Sequence, residues 1–168
     1  VAALAGLLAS ATPLPSAPAP RTAAETFTID NVHSTAIFHT QHVGVSEAYG
    51  RFNNFGAASE IVLDADPAKC SVRIVIVADS VDTNNEARDK HLRSGDFLSS
   101  KEFPEIVFES SKITGNDKAW EVTGELSFHG VTKTVKAKAH QSGKGEVQGK
   151  QKVGLVAEFS IEMGDFGR

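Results

Sequence analysis

Several features that would point to a function class are scarce in this sequence. Its 168 residues include one cysteine, one tryptophan, one tyrosine and one methionine. A single cysteine, Cys70, excludes an internal disulfide, and its apolar surroundings favour a buried, inert thiol over an exposed reactive one. The 17 basic and 21 acidic residues, with a net charge of -4, supply neither the basic surface of a nucleic-acid-binding protein nor a polybasic membrane patch.

Motifs of catalysis and metal binding are also lacking. The chain contains no GxSxG elbow and no HExxH motif, and its six histidines are scattered, with no pair of cysteines beside them. The sequence therefore predicts no metal site and no catalytic residue. A polar stretch with Arg88, Asp89 and His91 leaves one acid–base candidate open. A helix tied to strand ends by ion pairs and hydrogen bonds would explain the same residues.

The clearest pattern that is present is an alternation of apolar and polar residues from Ala119 to Ala139. The apolar positions are Trp120, Val122, Gly124, Leu126 and Phe128 before His129-Gly130, and Val131, Val135, Ala137 and Ala139 after it. A period of two predicts strands with one apolar face, and Gly130 permits a tight connection. We therefore predict a long antiparallel hairpin, whose apolar face must be covered by a second sheet or by closure into a barrel.

The remaining chain adds short strand-like segments and one helix. Strands are predicted over 27–29, 35–44, 49–64, 70–79, 105–114 and 152–163, with a turn at 30–34 and a Gly-rich loop at 142–149. Residues 83–98 lose the two-residue period and predict the one helix. Val75 and Val77 are apolar on the outer face of their strand, so part of that face should be covered. Seven or eight short strands indicate an all-β sandwich or barrel.

Residues 1–24 differ in composition from the rest of the chain. Residues 1–11 are apolar and uncharged, but shorter than the roughly 20 residues that span a bilayer, which is typical of a secretory signal. Residues 12–24 are rich in Pro and Ala and resemble an unstructured linker. We therefore expect a periplasmic or secreted protein with one folded domain over 25–168. A disordered tail on a cytosolic protein is the alternative.

The apolar faces supply candidates for a ligand-lined interior. These candidates are Phe38, Phe52, Ile74, Ile76, Phe97, Phe108, Leu126, Phe128 and Phe159. An eight-stranded barrel is the smallest that either fills with its own side chains or holds one ligand, so both outcomes stay open. A polar set is expected at the mouth or as structural ties: Asp30, His33, His42, Arg88, Asp89, His91 and Asp96. Among these, Asp30, Arg88 and Asp96 are candidates for ion pairs around the helix.

An ordered series of motifs resembles the YceI-like protein family. The motifs are FTIDNVHS (27–34), His42-x-Gly44, GRF (50–52), RDKHLRSGDF (88–97), FPEIVF (103–108), GELSFHGVTK (124–133) and GDFG (164–167). The resemblance implies a lipocalin-like antiparallel β-barrel with one short inserted helix, exported to the bacterial periplasm. It implies a bound polyisoprenoid or quinone-like lipid in an apolar tunnel, with no other cofactor. It also implies a further strand after the last motif, so the final strand is expected to be missing from this fragment.

The sequence thus favours a non-enzymatic barrel that stores or carries an isoprenoid or fatty amphiphile in the cell envelope. Each buried methylene contributes roughly 0.8 kcal/mol, so the tail should dominate affinity and polar residues should select head groups. A homodimer is compatible with this function. One alternative is a hydrolase or other lipid-modifying enzyme that uses His33, Arg88, Asp89 and His91 at the barrel mouth. The other is a structural or stress-response module whose core is full.

Overall fold

The computed structural model describes residues 23–42 and 44–167. The predicted signal segment and most of the predicted linker, residues 1–22, lie outside the described residues. The strands are β1 (Glu25–Thr28), β2 (Ala36–His42), β3 (Ser46–Phe52), β4 (Glu60–Leu63), β5 (Ser71–Val77), β6 (Val81–Asp82), β7 (Glu105–Asn116), β8 (Ala119–Phe128), β9 (Val131–Val147) and β10 (Lys150–Glu158). The helix α1 spans Glu86–Arg93, and 3-10 helices span Pro67–Lys69, Ala78–Ser80 and Met163–Phe166.

Two antiparallel sheets form the body of the molecule. One has seven strands in the order β1-β4-β5-β7-β8-β9-β10, and the other has the order β2-β3-β6. A bridge between Phe55 and Ile76 joins the segment after β3 to β5. Ion pairs connect the two edges of the larger sheet. Lys144 of β9 lies 2.5 Å from Glu25 of β1, and Lys152 of β10 lies 3.0 Å from Asp30, which follows β1. The larger sheet therefore curls into a nearly closed barrel, and the predicted all-β barrel with one short helix is confirmed.

The predicted hairpin from Trp120 to Ala139 is present as β8 and β9. The two strands pair without interruption from Phe128 with Val131 to Trp120 with Ala139. His129 and Gly130 connect them with positive φ angles of 51° and 76°, as a type I′ turn requires. A side chain at Gly130 would also meet the ring of Phe103. The alternation and the turn residues were sufficient to predict this element.

Other predicted boundaries are wrong. The predicted loop at 142–149 is strand on both sides of a turn at Gln148 and Gly149, because β9 continues to Val147 and pairs with β10. Its residues are exposed and, except for Val147, polar or glycine, so no apolar alternation marks the strand, and backbone hydrogen bonds form the ladder. The last strand ends at Glu158 and not at Met163, which begins a 3-10 helix.

The predicted helix and the predicted strand at 49–64 are shorter in the structure. The α-helix begins after Asn85, whose side-chain oxygen accepts a hydrogen bond from the backbone N–H of Arg88 at 3.0 Å. Residues 53–59 interrupt the strand and cover the outer face of β5. There Val75 is fully buried, and the hydroxyl of Ser59 bonds to its backbone. The expected cover over the outer face of this strand is therefore confirmed.

The buried apolar residues form two clusters. The large cluster has seven buried members: Ala78, Val81, Leu98, Ile106, Leu126, Phe128 and Phe166. The small cluster has three, namely Ile113, Val122 and Ala137. Phe108 is partly buried and packs against both. The helix α1 contributes Leu92 to the large cluster, so the helix covers that part of the interior, as expected.

Candidate functional site: the apolar interior

Antiparallel register places the predicted lining residues of neighbouring strands side by side. Ile74 of β5 pairs with Phe108 of β7, and Phe108 pairs with Leu126 of β8. Directly paired residues share one face of a sheet, so these three side chains form a row across three strands. The row faces the interior, because Leu126 is only 3% exposed and belongs to the large cluster.

Most of the nine predicted lining residues lie in or against the large cluster. Leu126 and Phe128 are buried members, while Phe38, Phe52, Ile76 and Phe108 are partly buried and pack against them. The rings of Phe38 and Phe52 lie 5.5 Å apart. Ile74 is also partly buried. The structure brings these seven residues to one side of the sheets, and their contact with a ligand stays a prediction.

The other two predicted lining residues lie apart from this group. Phe97 is 39% exposed and meets the ring of His91 edge-on at 4.9 Å. Phe159 is 48% exposed and follows the end of β10. Phe159 was predicted from its phase with the preceding strand, whereas Phe97 lies in the 83–98 segment, which has no such phase. The strand ends before Phe159, so its side chain is not held on the inward face.

The side chains that pack against the large cluster are not fully buried. This group includes Phe38, Phe52, Ile76, Phe108, Val131, Val135 and Ile161, all of them partly accessible. Side chains in a close-packed core are normally sealed from solvent on every side. Accessible apolar surface next to a buried cluster is the surface that a hydrocarbon chain would cover.

Two residues on the inward side of the barrel were not identified from the sequence. Phe166, within the GDFG motif, is 1% exposed and meets Phe128 edge-on at a centroid distance of 5.6 Å. No periodicity marks it, because it lies in a 3-10 helix outside the strands. Lys133 lies on the inward face of β9, where it pairs with Leu126. The apolar phase of Val131 and Val135 runs through Lys133, so the sequence carried a signal for it.

Asp30 and His33 lie where β1 and β10 approach each other. The Asp30 carboxylate accepts hydrogen bonds from the Lys152 ammonium at 3.0 Å and bonds to the His33 ring at 3.1 Å. The Lys152 hydrogen bond, followed by that of His33, holds the pKa of Asp30 well below its usual range. These contacts join two strands of the barrel. His42 ends β2, and its side chain lies outside the described residues.

Arg88 and Asp89 form a compact network around Thr83. The buried Asp89 carboxylate accepts hydrogen bonds from the backbone N–H of Thr83 at 2.8 Å and from its hydroxyl at 2.5 Å. The Arg88 guanidinium donates to the Thr83 hydroxyl at 2.7 Å and to its carbonyl at 2.6 Å. Each polar group thus has a partner within the fold. The network attaches α1 to the segment after β6, which is the structural alternative predicted for these residues.

The four residues of the enzyme hypothesis do not form one cluster. His91 lies 3.5 Å from the Asp96 carboxylate, whereas Arg88 and Asp89 bind Thr83 and His33 binds Asp30. Of the residues expected to form ion pairs around the helix, Asp96 pairs with His91 of α1, Arg88 donates to Thr83, and Asp30 pairs with Lys152 of β10. Within residues 23–42 and 44–167, no hydrogen bond or ion pair joins His33 to the residues of α1.

Two surface pockets are lined by residues outside the predicted ligand-lining set. One of about 320 Å³ lies beside β3 and β6, between Tyr49, Arg51 and Asp82. The other, of about 520 Å³, lies at the β7–β8 tip and includes Trp120, Lys138 and Glu158. None of the nine predicted lining residues borders either pocket. These pockets therefore do not correspond to the apolar interior.

The side chain of Asp82 connects two strands of the smaller sheet by hydrogen bonds. Its carboxylate accepts hydrogen bonds from the backbone N–H of Asn84 and from the side chains of Asn53 and Arg51. These contacts, the Asn84 N–H first, lower the pKa of Asp82 to about 2. Since Arg51 belongs to β3 and Asp82 to β6, the interaction reinforces their short ladder.

Neither a metal centre nor a membrane helix was found in the described residues. Across 23–42 and 44–167, no three His, Cys, Asp or Glu side chains are grouped so as to bind a metal ion. Over the same ranges, no helix combines the length and the hydropathy that a bilayer span requires.

Comparison with known proteins shows relatives along nearly the whole chain. Residues 27–168 match the family model of the YceI-like domain. A UPF0312 protein of Shewanella denitrificans is 40% identical over 172 residues, which cover 98% of this chain and 85% of the relative. A UPF0312 protein of Pseudomonas aeruginosa is 38% identical over 136 residues, or 80% of this chain and 71% of the relative.

Solved structures share the fold. A YCEI protein of Campylobacter jejuni superposes with a TM-score of 0.64 at 29% identity, over 84% of this chain and 83% of its own. A polyisoprenoid binding domain from Saccharophagus degradans, implicated in plant cell wall breakdown, has a TM-score of 0.51 at 14% identity, over 79% of this chain and 75% of its own. The second likeness is in fold alone.

Proposed function

Because the chain belongs to the YceI-like domain family, we propose that it binds a long-chain isoprenoid or similar amphiphilic lipid in the interior of its barrel. The observation that carries the proposal is the inward face of β5, β7 and β8. Its row of Ile74, Phe108 and Leu126 is apolar throughout, and the first two side chains stay partly accessible. A hydrocarbon tail that lies against this surface is removed from water, which favours binding.

The energetics favour an extended apolar ligand. Each methylene buried against this face contributes roughly 0.8 kcal/mol, and ordering of the tail offsets part of the gain. A long tail therefore accounts for binding without a deep polar pocket. The name of the Saccharophagus degradans domain, which shares the fold, supports a polyisoprenoid as the ligand class.

The family and the binding-domain neighbour support a non-enzymatic role. His33 binds Asp30, His91 lies beside Asp96, and Arg88 and Asp89 both bind Thr83, so the four side chains do not form an acid–base cluster. We further propose that the protein stores or transports its lipid in the cell envelope, as a periplasmic or secreted protein. The apolar segment 1–11 supports export. A homodimer stays a prediction.

Native mass spectrometry of the protein purified from cells tests the proposal, with two tryptophan variants as a matched pair. Val135 faces the interior and packs against the large cluster, whereas its neighbour Lys136 faces outward. Val135→Trp adds bulk inside the barrel and should lower the fraction of protein with bound lipid severalfold. Lys136→Trp adds the same group outside and should leave that fraction unchanged.

Circular dichroism and thermal unfolding establish that both variants are folded. Wild-type protein that carries no lipid and binds no added isoprenoid would contradict the proposed function and favour the packed module. Equal lipid occupancy in both folded variants would place the lipid outside the interior.

A further inference from the structure

Lys133 is an exception on an otherwise uncharged surface. In the register of β5, β7, β8 and the β9 segment from Val131 to Ala139, the inward positions are apolar or small and neutral, except for Lys133. Its direct partner Leu126 is 3% exposed, and Val131 and Val135, two residues away on either side, pack against the large cluster. The side chain of Lys133 therefore starts from the wall of the apolar interior.

The side chain of Lys133 is accessible to solvent. The residue is exposed, and within the described part of the chain no hydrogen bond or ion pair engages its side chain. β10 pairs with β9 from Lys138 onward, so Lys133 lies before the start of that ladder. A lysine can keep its methylene stem along apolar surface while its charged end stays in water. Lys133 thus combines an apolar methylene stem with a cationic end.

We propose that Lys133 binds the anionic head group, a carboxylate or a phosphate, of the amphiphile whose tail lies against Phe108 and Leu126. The inference rests on the proposed function and adds to it the class of head group and the residue that selects it. An ammonium provides three donors, and hydrogen bonds between charged partners are about twice as strong as neutral ones. The other lysines of the β9 segment from Val131 to Ala139, Lys136 and Lys138, alternate to the outer face and have no access to such a ligand.

Three probes with one tail length separate the head group from the tail: palmitate, hexadecyl phosphate and hexadecanol. Their dissociation constants are measured on delipidated full-length protein by displacement of a fluorescent apolar probe. Lys133→Met keeps the stem length and removes the charge. It should weaken binding of palmitate and hexadecyl phosphate about 5- to 10-fold and change hexadecanol less than about 2-fold. The loss for the two anions should shrink at high salt.

Two further variants isolate the position and the charge. Lys136→Met removes the same charge from the outer face of the same strand and should leave all three constants unchanged. Lys133→Arg keeps the charge and should retain most of the preference for the anionic probes over hexadecanol.

The outcomes distinguish the inference from the function on which it rests. If wild-type protein binds neither the three probes nor an added isoprenoid, the proposed function fails and the inference fails with it. If it binds an isoprenoid but none of the three probes, only the inference is overturned. If all three bind and Lys133→Met weakens them equally, or Lys136→Met has the same effect, only the inference is overturned. Thermal unfolding of Lys133→Met shows whether this variant is folded. If it is not folded, Lys133→Arg still tests the role of the charge.

Discussion

The two apolar clusters differ in where their side chains come from. The small cluster consists of Ile113, Val122 and Ala137, which belong to three adjacent strands of one sheet. The large cluster adds residues from outside the strands, including Leu98 after α1 and Phe166 of the last 3-10 helix. Phe166 is 1% exposed, whereas Trp120 beside the small cluster is only partly buried.

This difference shows what a curled sheet can and cannot do alone. Strands place apolar side chains on one face, but that face stays accessible until another segment covers it. The region near α1 has such a cover, and the region near Trp120 depends on the sheet. The three predictions below test how much the cover, the junction of the two clusters and the polar contacts beside the cover stabilise the fold.

The largest effect is expected at the covered region. Phe166→Ala should lower the free energy of unfolding by about 3–5 kcal/mol, because it removes a buried ring that packs against Phe128. Met163→Ala is the control within the same 3-10 helix, since Met163 is 40% exposed and should lose less than about 1 kcal/mol. Urea unfolding measures both. Similar losses in the two variants would show that this segment does not seal the large cluster.

An intermediate effect is expected at the junction of the two clusters. A Cβ atom at Gly124 would meet the backbone oxygen of Glu109 and the ring of Phe108, which both clusters share. Gly124→Ala should therefore cost about 1–3 kcal/mol of unfolding free energy. Gly143→Ala, also in a strand, has open space and should be neutral or stabilising by up to about 1 kcal/mol. Equal stabilities would mean that Phe108 moves aside freely.

The smallest effect is expected at the polar support of the covered region. Asp82 follows Val81, a buried member of the large cluster, and its pKa is lowered to about 2 from 3.8. A lowered pKa in the folded state stabilises the protein fully above about pH 4, and this contribution is lost as the pH falls through about 2. The difference in unfolding free energy between wild type and Asp82→Asn should therefore shrink between pH 4 and pH 2.

Urea unfolding at each pH provides that difference. A difference that stays constant over the same range would show that the contacts of Asp82 do not depend on its charge. Because the carboxylate lies near the surface, its effect should stay below those of the two core variants.

How much could be predicted depended on whether a residue's position followed from local pattern. The position of the β8–β9 hairpin followed from local pattern, because its alternation continues across paired strands and His129-Gly130 suits the turn. Phe128 and Leu126 were identified as inward-facing for the same reason. Phe159 was placed on the inward face by extending that pattern past Glu158, where the strand ends. Phe166 was not identified, because it packs from a 3-10 helix that no period describes.

The polar residues show a second limit. Arg88 and Asp89 were recognised as a polar pair on a helix, but their common partner Thr83 was not, because hydrogen-bond partners depend on the approach of two segments. In the same way, the sequence offered no reason to place Lys152 beside Asp30, which lies 122 residues away. Proximity across the barrel is a property of closure and leaves no trace in local periodicity.

Alternation with a period of two, turn residues and a charge-poor apolar face determined by themselves that this chain forms antiparallel strands around an apolar interior. These features act between neighbours in sequence, so the sequence is enough to reveal them. The tertiary structure alone decided which segments cover that interior and which partners bind the polar residues. Those outcomes depend on how far the sheet curls and on which distant segments meet, and packing over the whole chain determines both.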